Sequence, residues 1–67
     1  MKEPIETLTE QERKVASGLA EGDSYQQIAD QLGVSINTVR FHIKNIYRKL
    51  QVHSKIEVVK RSVRGEL

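Results

Sequence analysis

Residues 24–43, SYQQIADQLGVSINTVRFHI, decide the fold of this 67-residue chain. They contain two helix-forming stretches joined by a short turn that is centred on Gly33 and Val34. Glycine tolerates the left-handed backbone conformation that ends a helix sharply, and Ala29 is small enough for the two helices to pack closely. This order and spacing predict a helix-turn-helix. A simple helical hairpin with no binding role is the alternative.

Patterns typical of helix starts divide the remaining sequence. A Ser or Thr three residues before a Glu or Gln forms a capping box, in which each side chain bonds a free backbone N–H of the first turn. This pattern begins at Thr9, Ser24 and Ser54, and Ser35 caps a further helix. Helices are predicted over about residues 10–21, 25–32, 36–50 and 55–64. No alternating strand pattern competes, so the predicted fold is all-α, a four-helix bundle that contains the helix-turn-helix.

The predicted domain covers residues 8–67, after an N-terminal arm or linker at residues 1–7. The chain has no Cys, and its two His residues have no clustered carboxylates beside them, so no metal site and no cofactor are expected. No apolar run approaches the ~20 residues that span a bilayer, and no membrane partner is expected. An enzyme is not expected either, because no nucleophile–base pair or phosphate loop stands at a useful spacing.

Charge is distributed unevenly along the chain, although the net charge is only +2. Residues 1–34 hold seven acidic and three basic side chains, whereas residues 35–55 hold five basic side chains and no acidic one. A stretch of this kind predicts a face for a polyanion, and with a helix-turn-helix the expected polyanion is double-stranded DNA. An ordinary solvated surface is the alternative.

A helical wheel of the third helix separates two faces. The stripe predicted to face the core contains Val39, Ile43, Ile46 and Leu50. The stripe predicted to face outward contains Asn37, Arg40, Phe41, Lys44 and Arg48. Arg40 and Lys44 lie one turn apart near the start of the helix, where recognition helices meet base edges. Phe41 is predicted to pack against a thymine methyl group in the major groove; packing back over the second helix is its alternative.

Other polar residues of this region are predicted to contact the DNA backbone, which positions a protein without specifying sequence. This set consists of Ser35, Asn37, Thr38, His42, Arg48 and Lys49. Ser35 also caps the helix, and that structural role is the stronger prediction for it. Base contacts are predicted for Arg40, Phe41 and Lys44.

The same residues resemble a known family, the LuxR-type DNA-binding domains that include GerE, NarL and FixJ. The match runs through Leu8-Thr9-x-x-Glu12, Ile28-Ala29-x-x-Leu32, Val34-Ser35-x-x-Thr38-Val39, His42, Asn45-Ile46, Lys49-Leu50 and Ser54-x-x-Glu57. The resemblance covers about residues 8–66. It implies a bacterial transcription regulator of the cytoplasm and nucleoid, whose third helix enters the major groove and whose fourth helix dimerises. The family's base-contacting positions fall on Arg40, Phe41 and Lys44.

The resemblance leaves two forms of regulator open, the output domain of a response regulator and a short free-standing regulator. RNA polymerase is a candidate further partner. Region four of a bacterial sigma factor is the nearest alternative, but it is disfavoured because the chain continues through a capped fourth helix. An interaction module without DNA binding is disfavoured because the basic stripe is intact.

The fourth helix is predicted to pack on the core through an apolar stripe, which consists of Ile56, Val59, Val63 and Leu67. Val58 falls on the opposite side of the wheel, beside Ser62 and Gly65. These three residues are predicted to form a weak homodimer contact that is favoured on DNA; an isolated surface valine is the alternative. In the first helix, Ala16 and Gly18 stand where the family has larger apolar residues, which predicts a thinner core.

Overall fold

The computed structural model describes residues 8–65. Its elements are α1 (Glu10–Ala20), α2 (Tyr25–Leu32), α3 (Ile36–Leu50) and α4 (Lys55–Val63). Residues 8–65 contain no strand, so the all-α prediction is confirmed, and each helix lies within a residue or so of its predicted position. The predicted arm at residues 1–7 and the predicted core position Leu67 lie outside the described residues.

Two capping boxes fix the starts of α1 and α2. The Thr9 hydroxyl accepts a hydrogen bond from the backbone N–H of Glu12 over 3.2 Å, and the Glu12 carboxylate accepts one from the N–H of Thr9 over 2.9 Å. Ser24 and Gln27 repeat this arrangement at 3.1 and 2.8 Å. Both boxes satisfy N–H groups that have no partner within their own helix. The predictions at these two starts are confirmed.

The starts of α3 and α4 differ from each other. Ser35 caps α3 as predicted, with its hydroxyl accepting from the N–H of Thr38 over 3.1 Å. The box predicted at Ser54 is wrong, because the Ser54 side chain makes no capping hydrogen bond. The Glu57 carboxylate instead accepts from the N–H of His53, one residue before the cap, over 2.7 Å. The Glu57 carboxylate therefore helps to fix the connection into α4.

The turn between α2 and α3 forms the predicted helix-turn-helix. Gly33 ends α2 with φ at 68°, in the left-handed region that favours glycine. The following residue, Val34, returns its N–H to the carbonyl of Ala29 over 3.0 Å and packs, half-buried, against the core. This arrangement satisfies the end of α2 and directs the chain at once into α3.

The core lies where α1 meets the other helices. α1 packs against both α3 and α4, whereas α2 packs mainly on α3. The buried apolar side chains are Leu8, Val15, Ala16, Leu19, Ile28, Ala29, Val39, Ile43, Ile46, Leu50, Val52 and Val58. Because α1 supports α3 from behind, the opposite face of α3 is left on the surface.

Gly18 does not thin the core as the sequence suggested. It is buried in α1, and a Cβ at this position would lie 2.7 Å from Cγ1 and 3.0 Å from Cδ1 of Ile28. The space that a larger residue would take is occupied by Ile28, which is 1% exposed. Gly18 therefore permits a close approach between α1 and α2.

The predicted orientation of α4 is wrong. Val58, predicted on the outward side, is fully buried in the core, whereas Ile56 and Val63, predicted to face the core, are 64% and 80% exposed. A helical wheel shows which residues share a stripe but not which side meets the neighbouring helix. Here α4 meets α1 through the side that carries Val58. Of the other two residues of the predicted dimer set, Ser62 is half-buried and Gly65 is exposed just beyond the helix.

Candidate nucleic-acid interface

The two faces of α3 separate as the helical wheel predicted. Val39, Ile43, Ile46 and Leu50 are buried, with at most 7% of any of them exposed. The opposite face exposes Asn37, Arg40, Phe41, Lys44 and Arg48. We call these five residues the outward face of α3. Because the apolar stripe is buried in the core, the outward face is held on the surface along the length of the helix.

The three residues predicted to contact bases lie together on this face. Arg40, Phe41 and Lys44 are all exposed, within little more than one helical turn. Phe41 is 61% exposed, which contradicts the alternative that it packs back over α2. Its ring centroid lies 6.0 Å from that of His42, with the ring planes tilted by 59°. An apolar ring on the same face as two cationic side chains is suited to a base edge in a major groove.

The first turn of α3 presents hydroxyl groups. Ser35 Oγ lies 3.0 Å from Thr38 Oγ1 in addition to its capping bond. Ser35 and Asn37 are exposed, and Thr38 is half-buried. The capping role predicted for Ser35 is confirmed, and phosphate contacts by these three residues remain predictions. The positive end of the helix dipole at this turn favours an anion there.

His42 borders the outward face. Its side chain is half-buried, and Nδ1 is enclosed with no hydrogen-bond partner among residues 8–65. Contact between His42 and the DNA backbone remains a prediction.

Lys49, which is predicted to contact the DNA backbone, is paired with a carboxylate in the structure. Its Nζ lies 2.7 Å from Glu12 Oε1, and the two side chains are only 12% and 5% exposed. The same carboxylate oxygen accepts the N–H of Thr9 in the capping box. The Lys49 charge is balanced in an almost enclosed pair, so a phosphate contact would compete with Glu12 for it; the contact stays a prediction. Its position on the wheel, about 80° or more from the outward face, is the feature of the sequence that sets Lys49 apart from that face.

Glu12 is held in its charged form by its partners. Burial raises the pKa of Glu12, but hydrogen bonds from Lys49 and Thr9 and the Lys49 charge outweigh burial, so the pKa lies below its usual range. A charged carboxylate in this place therefore stabilises the junction of α1 with the end of α3. The capping box at Thr9 gave no indication of this second role.

Tyr25 and Tyr47 meet at the junction of α2 and α3. Both rings are half-buried and pack against the core. Burial, followed by the neighbouring Tyr25, raises the pKa of Tyr47. On the wheel Tyr47 lies about 80° from Val39, at the edge of the core stripe, but nothing in the sequence indicates Tyr25 as its neighbour. The pair fixes α2 beside α3 and leaves the outward face unobstructed.

Within residues 8–65, no group of three or more His, Asp or Glu side chains is arranged to hold a metal ion. None of the four described helices is long and apolar enough to cross a membrane.

An α1 that packs one face into the core, a sharp α2–α3 turn and an exposed basic helix define a helix-turn-helix DNA-binding domain. Comparison with known proteins agrees. Residues 6–62 match the family of bacterial regulatory proteins described as the luxR family. The chain therefore belongs to the luxR family of bacterial regulatory proteins. This is a family of DNA-binding transcription regulators and not of enzymes.

Individual relatives agree with this assignment. The chain is 44% identical over 57 residues to the probable transcriptional regulatory protein SgaR of Hyphomicrobium methylovorum, covering 85% of this chain and 27% of that protein. It is 46% identical over 54 residues to the nitrate/nitrite response regulator protein NarP of Escherichia coli, covering 81% of this chain and 25% of that protein. It is 41% identical over 58 residues to the transcriptional regulatory protein UhpA of Escherichia coli, covering 87% of this chain and 30% of that protein. The chain thus spans between a quarter and a third of the length of these relatives.

Proposed function

We propose that this domain binds specific sites in double-stranded DNA by placing α3 in the major groove, as the output domain of a bacterial response regulator. The outward face of α3 carries the proposal, because it is exposed, basic and free of acidic residues, and lies directly opposite a buried stripe. A fixed helix with one face on the surface is the geometry that a major groove accepts.

The residues of this face have separate roles in the proposal. Arg40 donates two hydrogen bonds to a guanine edge, Lys44 donates to an acceptor one turn further on, and Phe41 contacts a methyl group between them. Ser35, Asn37, Thr38, His42 and Arg48 contact phosphates and fix the position of the helix. Lys49 is kept apart from this set because a phosphate would compete with Glu12 for its charge. The proposed function is binding, with no catalytic step and no cofactor.

The proposed partner of α4 is a second copy of the chain. Ile56, Val59 and Val63 are spaced at three, four and seven residues, so they share one face of α4. Ile56 and Val63 are exposed and Val59 is half-buried, which leaves an apolar stripe on the surface. This stripe replaces the predicted dimer surface at Val58. Three side chains form a small patch, so we propose a weak homodimer that two adjacent half-sites stabilise.

The relatives guide the proposal for the whole protein. NarP is named a response regulator, and both SgaR and UhpA are named transcriptional regulatory proteins. We propose the same kind of role here, in the cytoplasm and at the nucleoid, with RNA polymerase as a further partner at the promoter. A free-standing regulator is the second form that the domain would serve equally well.

Selection of binding sites from random duplex DNA tests the proposed function. The expected result is enrichment of two related half-sites, spaced by about one helical turn from centre to centre. The Arg40→Ala, Lys44→Ala double variant is the control, because both side chains are exposed and their removal leaves the core intact. Failure of the parent domain to enrich any sequence would contradict the proposal.

A further inference from the structure

Among the Phe and Tyr side chains of residues 8–65, only Phe41 lies largely on the surface. It is 61% exposed, whereas Tyr25 and Tyr47 pack against the core. On the helical wheel it lies about 200° from Val39, at one edge of the outward face and almost opposite the buried stripe. Its described ring neighbour, His42, lies to one side at 6.0 Å and leaves the outer surface of the phenyl ring uncovered. The ring is therefore available to contact a partner that binds this face.

The charges around Phe41 indicate which partner covers it. Arg40 and Lys44 share the exposed face with the ring, and α3 contains no acidic residue. Another protein that covered the ring would also have to desolvate these cations, whereas a DNA groove neutralises them with phosphates and base acceptors. A phenyl ring makes no conventional hydrogen bond to a base edge. The chemical group of the major groove that matches it is the methyl group at C5 of a pyrimidine.

We propose that Phe41 makes the domain sensitive to cytosine methylation, because 5-methylcytosine and thymine present the same C5 methyl group to its ring. This inference rests on the proposed function of α3 in the major groove. The two bases differ at position 4, where thymine carries a carbonyl oxygen and cytosine an amino group. In this proposal Phe41 contacts only the methyl group and does not distinguish the carbonyl oxygen from the amino group at position 4. Arg40 and Lys44 donate hydrogen bonds to acceptors on neighbouring bases.

Methylation should then raise affinity at a cytosine that takes the contacted position. Burial of one methyl-sized apolar group against the ring corresponds to a gain of about fourfold in affinity. Removal of the thymine methyl group, by uracil in the same place, should lower affinity by about the same factor. The two ratios, thymine over uracil and 5-methylcytosine over cytosine, should therefore agree.

The experiment measures dissociation constants by fluorescence anisotropy for duplexes of the selected operator. Each pyrimidine of a half-site is replaced in turn to give thymine, uracil, cytosine and 5-methylcytosine forms. The expected result is one position at which both methyl ratios are about fourfold, with ratios near one elsewhere. Phe41→Ala should reduce both ratios to near one at that position. Lys44→Ala is the matched control, because it should weaken binding overall but keep both ratios.

A folding defect should not affect this test, because Phe41 is exposed and its replacement leaves the core intact. The circular dichroism spectrum of Phe41→Ala should match that of the parent. Phe41→Ser provides a second variant that lacks the ring. The inference is overturned if the parent prefers its operator but binds cytosine and 5-methylcytosine forms equally at every position. It is also overturned if Phe41→Ala keeps both ratios. If the parent prefers no sequence at all, the proposed function fails first, which separates the two failures.

Discussion

Lys49, in the last turn of α3, donates a hydrogen bond from Nζ to Oε1 of Glu12 in the first turn of α1 over 2.7 Å. The two residues are 37 positions apart in the sequence. The carboxylate that completes the α1 capping box thus also holds the end of the proposed recognition helix. A charge that appeared to be available for DNA is used to hold the fold together.

Loss of either partner should therefore destabilise the domain. Removal of one member of a buried ion pair costs about 3–5 kcal/mol, and Lys49→Ala should fall near the lower end because Lys49 keeps 12% of its side chain exposed. A domain of this size has about 3–5 kcal/mol in total, so the variant should keep little of the stability of the parent. Urea denaturation followed by circular dichroism measures this. A Lys49→Ala domain as stable as the parent would contradict the structural role of the pair.

The Glu12 pair should also make stability depend on pH. The pKa of Glu12 is lowered in the folded domain, so the pair contributes stability above the unfolded value of about 4.3 and loses it as pH falls through the folded pKa. Glu12→Gln should be less stable than the parent by about 1–3 kcal/mol at neutral pH. Urea denaturation from neutral pH to about pH 3 should show this difference shrinking. A constant difference would show that the Glu12 charge is not involved.

Gly18→Ala should destabilise the domain although alanine favours helices. The propensity gain is about 1 kcal/mol, but the added Cβ would lie 2.7 Å from Ile28, which has no free space around it. Overpacking of this kind costs about 1–3 kcal/mol, so a small net loss is expected in thermal denaturation. Ser17→Ala, at the adjacent exposed position, is the control and should be neutral or slightly stabilising. An equal gain from both variants would show that α1 and α2 can move apart freely.

Ile56→Asp and Val58→Asp should have opposite consequences. Val58 is fully buried, so an aspartate there should unfold the domain. Ile56 is 64% exposed, so Ile56→Asp should keep the helix content and the affinity for a single half-site, but abolish cooperative binding to paired half-sites. Ser17→Asp adds the same charge on α1 and should retain cooperativity. If Ile56→Asp binds paired half-sites as cooperatively as the parent, the dimer surface lies elsewhere.

The contrast between α3 and α4 shows what the sequence could predict. In α3, four large apolar residues form one stripe and the opposite face is basic, so only one side can enter the core. In α4, the stripe of Ile56, Val59 and Val63 outweighs the lone Val58 on any hydrophobicity measure, yet Val58 is the residue that is buried. A helix that uses two apolar sides, one for the core and one for the surface, cannot be oriented from its own pattern.

For a related reason, the sequence patterns could not predict contacts between residues that are far apart in the chain. The capping boxes at Thr9 and Ser24 depend on residues three apart, and local spacing predicted them. The Glu12–Lys49 pair and the fit of Gly18 to Ile28 depend on how α1 crosses the other helices. Local periodicity holds no information about that crossing.

Salt should weaken DNA binding steeply. Each phosphate that the outward face neutralises contributes about −0.9 to the slope of log affinity against log salt concentration. Arg48→Gln should make the slope shallower by roughly one while weakening all sequences about equally. Binding titrations from low to moderate salt measure both quantities. Affinity that did not change with salt would contradict the role of the basic face.

The central claim is that the outward face of α3 determines which DNA sequence is bound, and Arg40→Ala tests it most directly. The measurement compares parent and variant affinities for the selected operator and for every single base-pair substitution of one half-site. The account predicts that Arg40→Ala loses about 1–3 kcal/mol on the operator and loses its preference at one or two base pairs, with discrimination unchanged elsewhere. An Arg40→Ala domain that keeps the full discrimination of the parent at every base pair would contradict it.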